Sequence, residues 1–69
     1  MYDQAINDMD IAIKGLKGTI DEKGAWNNKG VFYERMGKIP EAKKCYEEAI
    51  KIDPEFDVAI KNLSRLTDT

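Results

Sequence analysis

The sequence predicts an all-α protein of about four helices arranged as antiparallel pairs, and three observations carry that reading. Apolar residues recur at steps of three and four, the period of a helix and not of a strand. Between Ala25 and Pro54, small residues (Gly30, Ala42, Ala49) are interleaved with large rings (Trp26, Tyr33, Tyr46). Small opposite large lets two helices approach closely and fill the space between them. Gly37 and Pro40 punctuate the middle of that stretch, where one helix ends and another can open.

The first helix is expected over residues 3–17, where Ile6, Met9, Ile13 and Leu16 share a face with Ala5 and Ala12 beside them. Gly15 weakens its last turn, since glycine costs about 1 kcal/mol in a helix interior. The break falls at Gly18-Thr19, with Gly18 free to take the left-handed conformation that closes a helix. Thr19 followed by Glu22 fits a capping box, with Asp21 favourable in a first turn; a start at Asp21 or later is the alternative.

The second helix runs to about Met36. Its apolar members, among them Ile20, Trp26, Val31 and Phe32, spread over more than one stripe, as suits a helix with neighbours on several sides. Residues 37–40 form a short loop that enforces antiparallel neighbours. The third helix spans Pro40 to Ile52. Its charged face, including Glu41, Lys44, Glu47 and Lys51, reads as solubility. Asp53-Pro54 stops it, because the residue before proline disfavours the helical well. Asp57 is a candidate cap for the last helix, with an apolar stripe of Ile60, Leu63 and Leu66 and with Ala59 alongside.

Residues 25–54 resemble the tetratricopeptide repeat, a helix–turn–helix unit of about 34 residues. Trp26 matches the family's opening aromatic, Gly30 its small residue and Tyr33 the ring three further on; Ala42, Tyr46, Ala49 and Pro54 match the rest. Lys29 departs from the pattern by standing where the family has Leu. Either its stem covers apolar surface with the ammonium in water, or that edge is unpacked.

The resemblance implies a right-handed α-solenoid in a single domain over residues 1–69. Residues 1–22 would hold the helix of a partial N-terminal repeat, with Ala5, Met9, Ala12 and Ile13 in the second-helix places. Residues 23–56 would be one complete repeat. Residues 57–69 would be a C-terminal capping helix or the start of a next repeat, with Ile60 in the aromatic place and Ser64 in the small one. The chain begins and ends within repeat pattern, as expected of an excised domain or a very small repeat protein.

Composition narrows the function. The 69 residues carry 11 Lys and Arg against 13 Asp and Glu, for a formal net charge of -2. Nothing in that balance draws the chain to nucleic acid or anionic lipid. One cysteine permits no internal disulfide. No apolar run approaches the roughly 18 residues of a membrane span, and the acidic, polar start is unlike a signal peptide. A cytoplasmic protein is expected.

No catalytic constellation is legible. The chain has no His to serve as general base, triad member or metal ligand. Cys45 is the one nucleophile of note, and it reads as a partly buried thiol. Asp8 and Asp10, or Glu47 and Glu48, point apart on a helix and read as solvated faces rather than metal ligands. Gly30 lacks the Lys-Ser/Thr ending of a phosphate loop. The expectation is therefore no enzyme, no cofactor and no metal.

Surface recognition remains. Similar repeats bind a peptide or a helix of a partner protein in the groove lined by their first helices. Carried over, that groove is Gly24, Asn27, Val31, Glu34 and Arg35 from the complete repeat and Val58, Lys61, Asn62 and Arg65 from the helix that follows. Asn27, Lys61 and Arg65 are suited to backbone groups or a carboxylate. The family's carboxylate clamp is incomplete, because Asn27 and Val31 stand where it has Lys and Asn. Chaperone-tail binding is therefore not expected. The alternative is a structural fragment that self-associates into a homo-oligomer through exposed Ile6, Met9, Ile60 or Leu66.

Overall fold

The computed structural model describes residues 2–67, which form four α-helices: α1 (Tyr2–Leu16), α2 (Glu22–Arg35), α3 (Ile39–Ile52) and α4 (Asp57–Thr67). α2 and α3 form the central antiparallel pair; α1 packs on α2 and α4 on α3. The Cα envelope is a slab of 33 × 30 × 13 Å. Each end helix leans chiefly on one neighbour, so both broad faces of the slab meet solvent.

The turns follow the chemistry of their residues. Gly18 and Gly37 adopt φ of +86° and +79°, the left-handed region that side chains avoid, and each follows a helix end. Pro40 lies in the first turn of α3, where its missing N–H costs nothing. After α3, Asp53 is extended, its carboxylate accepts the Glu55 N–H at 3.0 Å, and its carbonyl accepts the Phe56 N–H.

The start of α2 corrects the expected capping box. The helix begins at Glu22, the later of the two alternatives, and the Asp21 side chain caps nothing. The Thr19 hydroxyl turns back and donates to the Leu16 carbonyl at 2.6 Å, closing α1 instead. Glu22 accepts the Gly18 N–H at 3.1 Å and the Trp26 indole N–H at 2.9 Å. The reason is the left-handed Gly18, which places Thr19 at the end of α1 rather than at the head of α2. Asp57 is likewise the first residue of α4 rather than its cap; the Phe56 carbonyl accepts the Ile60 N–H at 3.1 Å.

The core lies between α2, α3 and α4. Ala42, Tyr46, Ala49 and Ala59 are fully buried, with Leu66 beside them and Trp26, Tyr33, Phe56 and Leu63 packed around. Gly30 permits the closest approach. A Cβ at that position would lie 2.6 Å from Cε1 of Tyr46 and 2.9 Å from Cδ1. Ile60 is a correction to the expected stripe: it is 36% exposed, while Ala59, Leu63 and Leu66 turn inward. Residues 59, 63 and 66 step by four and three and so share a face, and Ile60 lies about 100° around the helix from Ala59. Leu66, expected at an exposed end, is buried for the same reason.

Lys29 resolves between its two readings. Its stem is covered and its ammonium is paired with Asp10 of α1, over the rings of Trp26 and Tyr33 at 5.2 and 5.7 Å. Burial works to lower its pKa, and the Asp10 carboxylate outweighs that, so the ammonium is held above its ordinary value. A second tie joins the other end of the pair: Lys23 at the start of α2 meets Asp53 at the end of α3 at 2.5 Å.

Candidate functional site

α2 and α4 both run away from turns on the same side of the slab, and their side chains meet across a cavity of about 330 Å³. Val31, Glu34 and Arg35 line it from α2, Asn62 and Arg65 from α4. All five were expected at a partner-binding surface, and the structure brings them together.

The groove carries a polar network with a defined direction. The Asn62 amide donates to the Asn27 side-chain oxygen at 3.0 Å. One helical turn further along, Arg65 grips Glu34 with two bonds, Nη1 to Oε2 at 2.7 Å and Nη2 to Oε1 at 2.8 Å. This paired geometry is the stronger form of the guanidinium–carboxylate bond. Tyr46 of α3, fully buried in the core, donates its hydroxyl to Glu34 Oε1 at 2.6 Å.

The electrostatics follow from this arrangement. The Arg65 guanidinium, with help from the Tyr46 hydroxyl and against the cost of burial, holds the Glu34 carboxyl below its usual range. Burial first, then the Glu34 carboxylate, push the Tyr46 hydroxyl well above its own.

The remaining expected residues divide. Asn27 is buried and engaged by Asn62, so its part is to fix the spacing of α2 and α4. Val58 is 51% exposed, and Lys61 and Arg35 stand exposed with no ion pair among the described residues. Gly24 is half-buried, with open space where a side chain would stand. Arg65 and Glu34 neutralise each other, which leaves Arg35 and Lys61 as the uncommitted charges of this surface.

Sequence reasoning missed Tyr46, which it assigned to the core alone. Its hydroxyl is the link between the core and the groove. Cys45 is buried more fully than expected, and burial pushes its thiol up to about 11. Among the described residues no group of three or more His, Cys, Asp or Glu is placed to hold a metal. No described helix is long and apolar enough to cross a membrane.

Residues 24–56 match the family model described as tetratricopeptide repeat. The chain is also 44% identical, over 46 residues, to a TPR repeat-containing protein of Methanocaldococcus jannaschii. That alignment takes in 67% of this chain and 14% of the relative, so the chain spans only a small part of that protein's length. No solved structure matches the chain.

Proposed function

We propose that this chain, which belongs to the tetratricopeptide repeat family, is a protein-interaction module that holds a peptide or helix of a partner protein in the groove between α2 and α4. The family's fold mediates protein–protein interaction, and the module brings no chemistry of its own. Residues 23–56 serve as the complete repeat, residues 1–22 as part of a preceding one and residues 57–69 as a capping helix or the start of a next repeat.

The observation that carries the reading is the convergence of Val31, Glu34, Arg35, Asn62 and Arg65 on one cavity. Val31 offers apolar contact, Asn62 an amide for a partner's backbone, and Arg35 and Lys61 charge at the edge. The Arg65–Glu34 pair holds the walls in place before a ligand arrives, which lowers the ordering cost of binding.

A peptide selected from a displayed library against the intact chain tests this. Titration followed by amide NMR should move Val31, Asn62, Lys61 and Arg65. Shifts confined to residues outside α2 and α4 would refute the assignment.

Self-association is the second reading, favoured by Ile11 and Ile20, which are 62% and 67% exposed, and by Val58 and Ile60. Ile6 and Met9 are half-buried and offer it less. Sedimentation over a hundredfold range of concentration separates the readings: a constant monomer mass refutes this one.

A further inference from the structure

Three charged side chains line the α2–α4 groove: Glu34 and Arg35 from α2, and Arg65 from α4. Two cations and one anion leave it with a single positive charge. Lys61 stands exposed on α4 outside that lining. The three lining charges are not equally open to a partner. Both terminal nitrogens of Arg65 are committed to Glu34, and Nη2 also donates a longer bond to the Asn62 side-chain oxygen at 3.4 Å. Arg35, the last residue of α2, is exposed and makes no ion pair among the described residues.

Glu34 is held from two sides, by Arg65 across the groove and by the Tyr46 hydroxyl from the core. Its side chain is only 18% exposed. Drawing Arg65 away would leave a largely buried carboxylate without its counter-charge, which is costly. A carboxylate arriving from a partner would also stand beside Glu34, where like charges repel. It would compete with an acid already tethered at the spot, equivalent to a ligand at about millimolar concentration or more. A partner's ammonium or guanidinium meets the same obstacle from Arg65. The pair therefore closes its stretch of the groove to charge of either sign.

We propose that Glu34 sets the charge specificity of the groove: it occupies Arg65 as an internal carboxylate and leaves an acidic group on the partner to be read by Arg35 alone. The inference rests on the groove being the binding site, and it says which partner fits. The bound segment carries one acidic side chain toward the end of α2 at Arg35. It is uncharged where it passes Glu34 and Arg65.

The probe is a displayed library of random peptides, selected in parallel against the intact chain and three variants. Peptides taken by the unaltered chain should share one Asp or Glu position. Replacing that acid by its amide should weaken binding about tenfold, a preference that shrinks in 1 M salt because Arg35 is exposed. Arg35→Gln should abolish the acidic position. Glu34→Gln keeps an oxygen for the Tyr46 hydroxyl and frees Arg65, so its peptides should gain a second acidic position. Arg65→Gln frees Glu34, so its peptides should gain a Lys or Arg. Thermal melts establish that each variant is folded. The Arg65 side chain is 54% exposed, so Arg65→Gln carries the test should Glu34→Gln fail to fold. Identical charge preferences in the unaltered chain and in the folded Glu34 and Arg65 variants overturn the proposal. So does an acidic preference that survives Arg35→Gln and is lost only in Lys61→Gln. In both cases peptide-induced amide shifts at Val31 and Asn62 would leave the groove standing as a site. Peptides that shift only residues outside α2 and α4, or a library that yields no binder, overturn the groove and this proposal together.

Discussion

Gly30→Ala adds one methyl group at the tightest point in the molecule. The new Cβ would stand 2.6, 2.9 and 3.0 Å from Cε1, Cδ1 and Cζ of Tyr46, where carbon atoms rest at about 3.5–4.0 Å. The ring cannot withdraw easily, because Tyr46 is fully buried and its hydroxyl is held by Glu34 at 2.6 Å. Overpacking of this kind costs about 1–3 kcal/mol, offset by the roughly 1 kcal/mol that alanine gains over glycine inside a helix. The net expectation is a loss of about 1 kcal/mol, or a fall of about 4–8 °C in Tm for a domain of this size. Gly30→Leu keeps the clash and enlarges it, and should cost more. Gly24→Ala is the internal control: it lies in the same helix with nothing within 4 Å, so it should stabilise by about 0.4–1 kcal/mol. Urea melts of both variants should thus move in opposite directions. Gly30→Ala should also cost less when Tyr46 is already Leu, since the obstructing ring is gone. A Gly30→Ala protein as stable as Gly24→Ala, or a cost unchanged by Tyr46→Leu, would refute the close-approach reasoning.

Lys29→Leu should change stability by no more than about 0.5 kcal/mol in urea melts, in either direction. The variant loses the Asp10 pair, but that carboxylate is 47% exposed and stays hydrated, while a leucine gains packing on Trp26 and Tyr33. Acid should destabilise the fold as pH falls below about 4.5. Glu34, Glu22 and Asp53 are all held below their ordinary values, so their contribution is complete above the unfolded-state pKa and disappears as pH drops through the folded one. Arg65→Gln should flatten that dependence, as measured by thermal melts from pH 7 to pH 3. The Cys45 thiol, raised to about 11 by burial, favours the neutral form in the fold, so stability should fall as pH rises past the ordinary 9.0. At pH 8 an aromatic disulfide reagent should label Cys45 at the rate of unfolding, and labelling should accelerate in urea. Rapid labelling of the native chain would contradict its burial.

Much of this fold was legible because its signals are local. Gly18, Gly37, Pro40 and Pro54 mark turns by backbone chemistry alone, and the Gly30–Tyr46 contact follows from small and large residues at helical spacing. What was not legible depends on rotation about a helix axis and on choices between equivalent polar partners. Ile60 and Ala59 are neighbours in sequence, and only packing against α3 decides which faces inward. Thr19 could serve the helix ahead or the helix behind, and the left-handed Gly18 decides. The groove stands between these cases. A repeat of about 34 residues makes Val31 the counterpart of Arg65 and places Glu34 one turn beyond, within reach of a guanidinium on a parallel neighbour. The Arg65–Glu34 pair was therefore available to register arithmetic. The Tyr46 hydroxyl was not, because it crosses from a third helix through the core.

The last helix rests against α3 through Ala59 and Leu66 and is tied to α2 through Asn62 and Arg65. A guest seated between α2 and α4 would grip both walls and so oppose departure of α4. Occupancy would then be felt first as slower amide exchange in residues 57–67, before any change in the central pair. On that proposal α4 would act as a latch whose closing strength is set by what it holds.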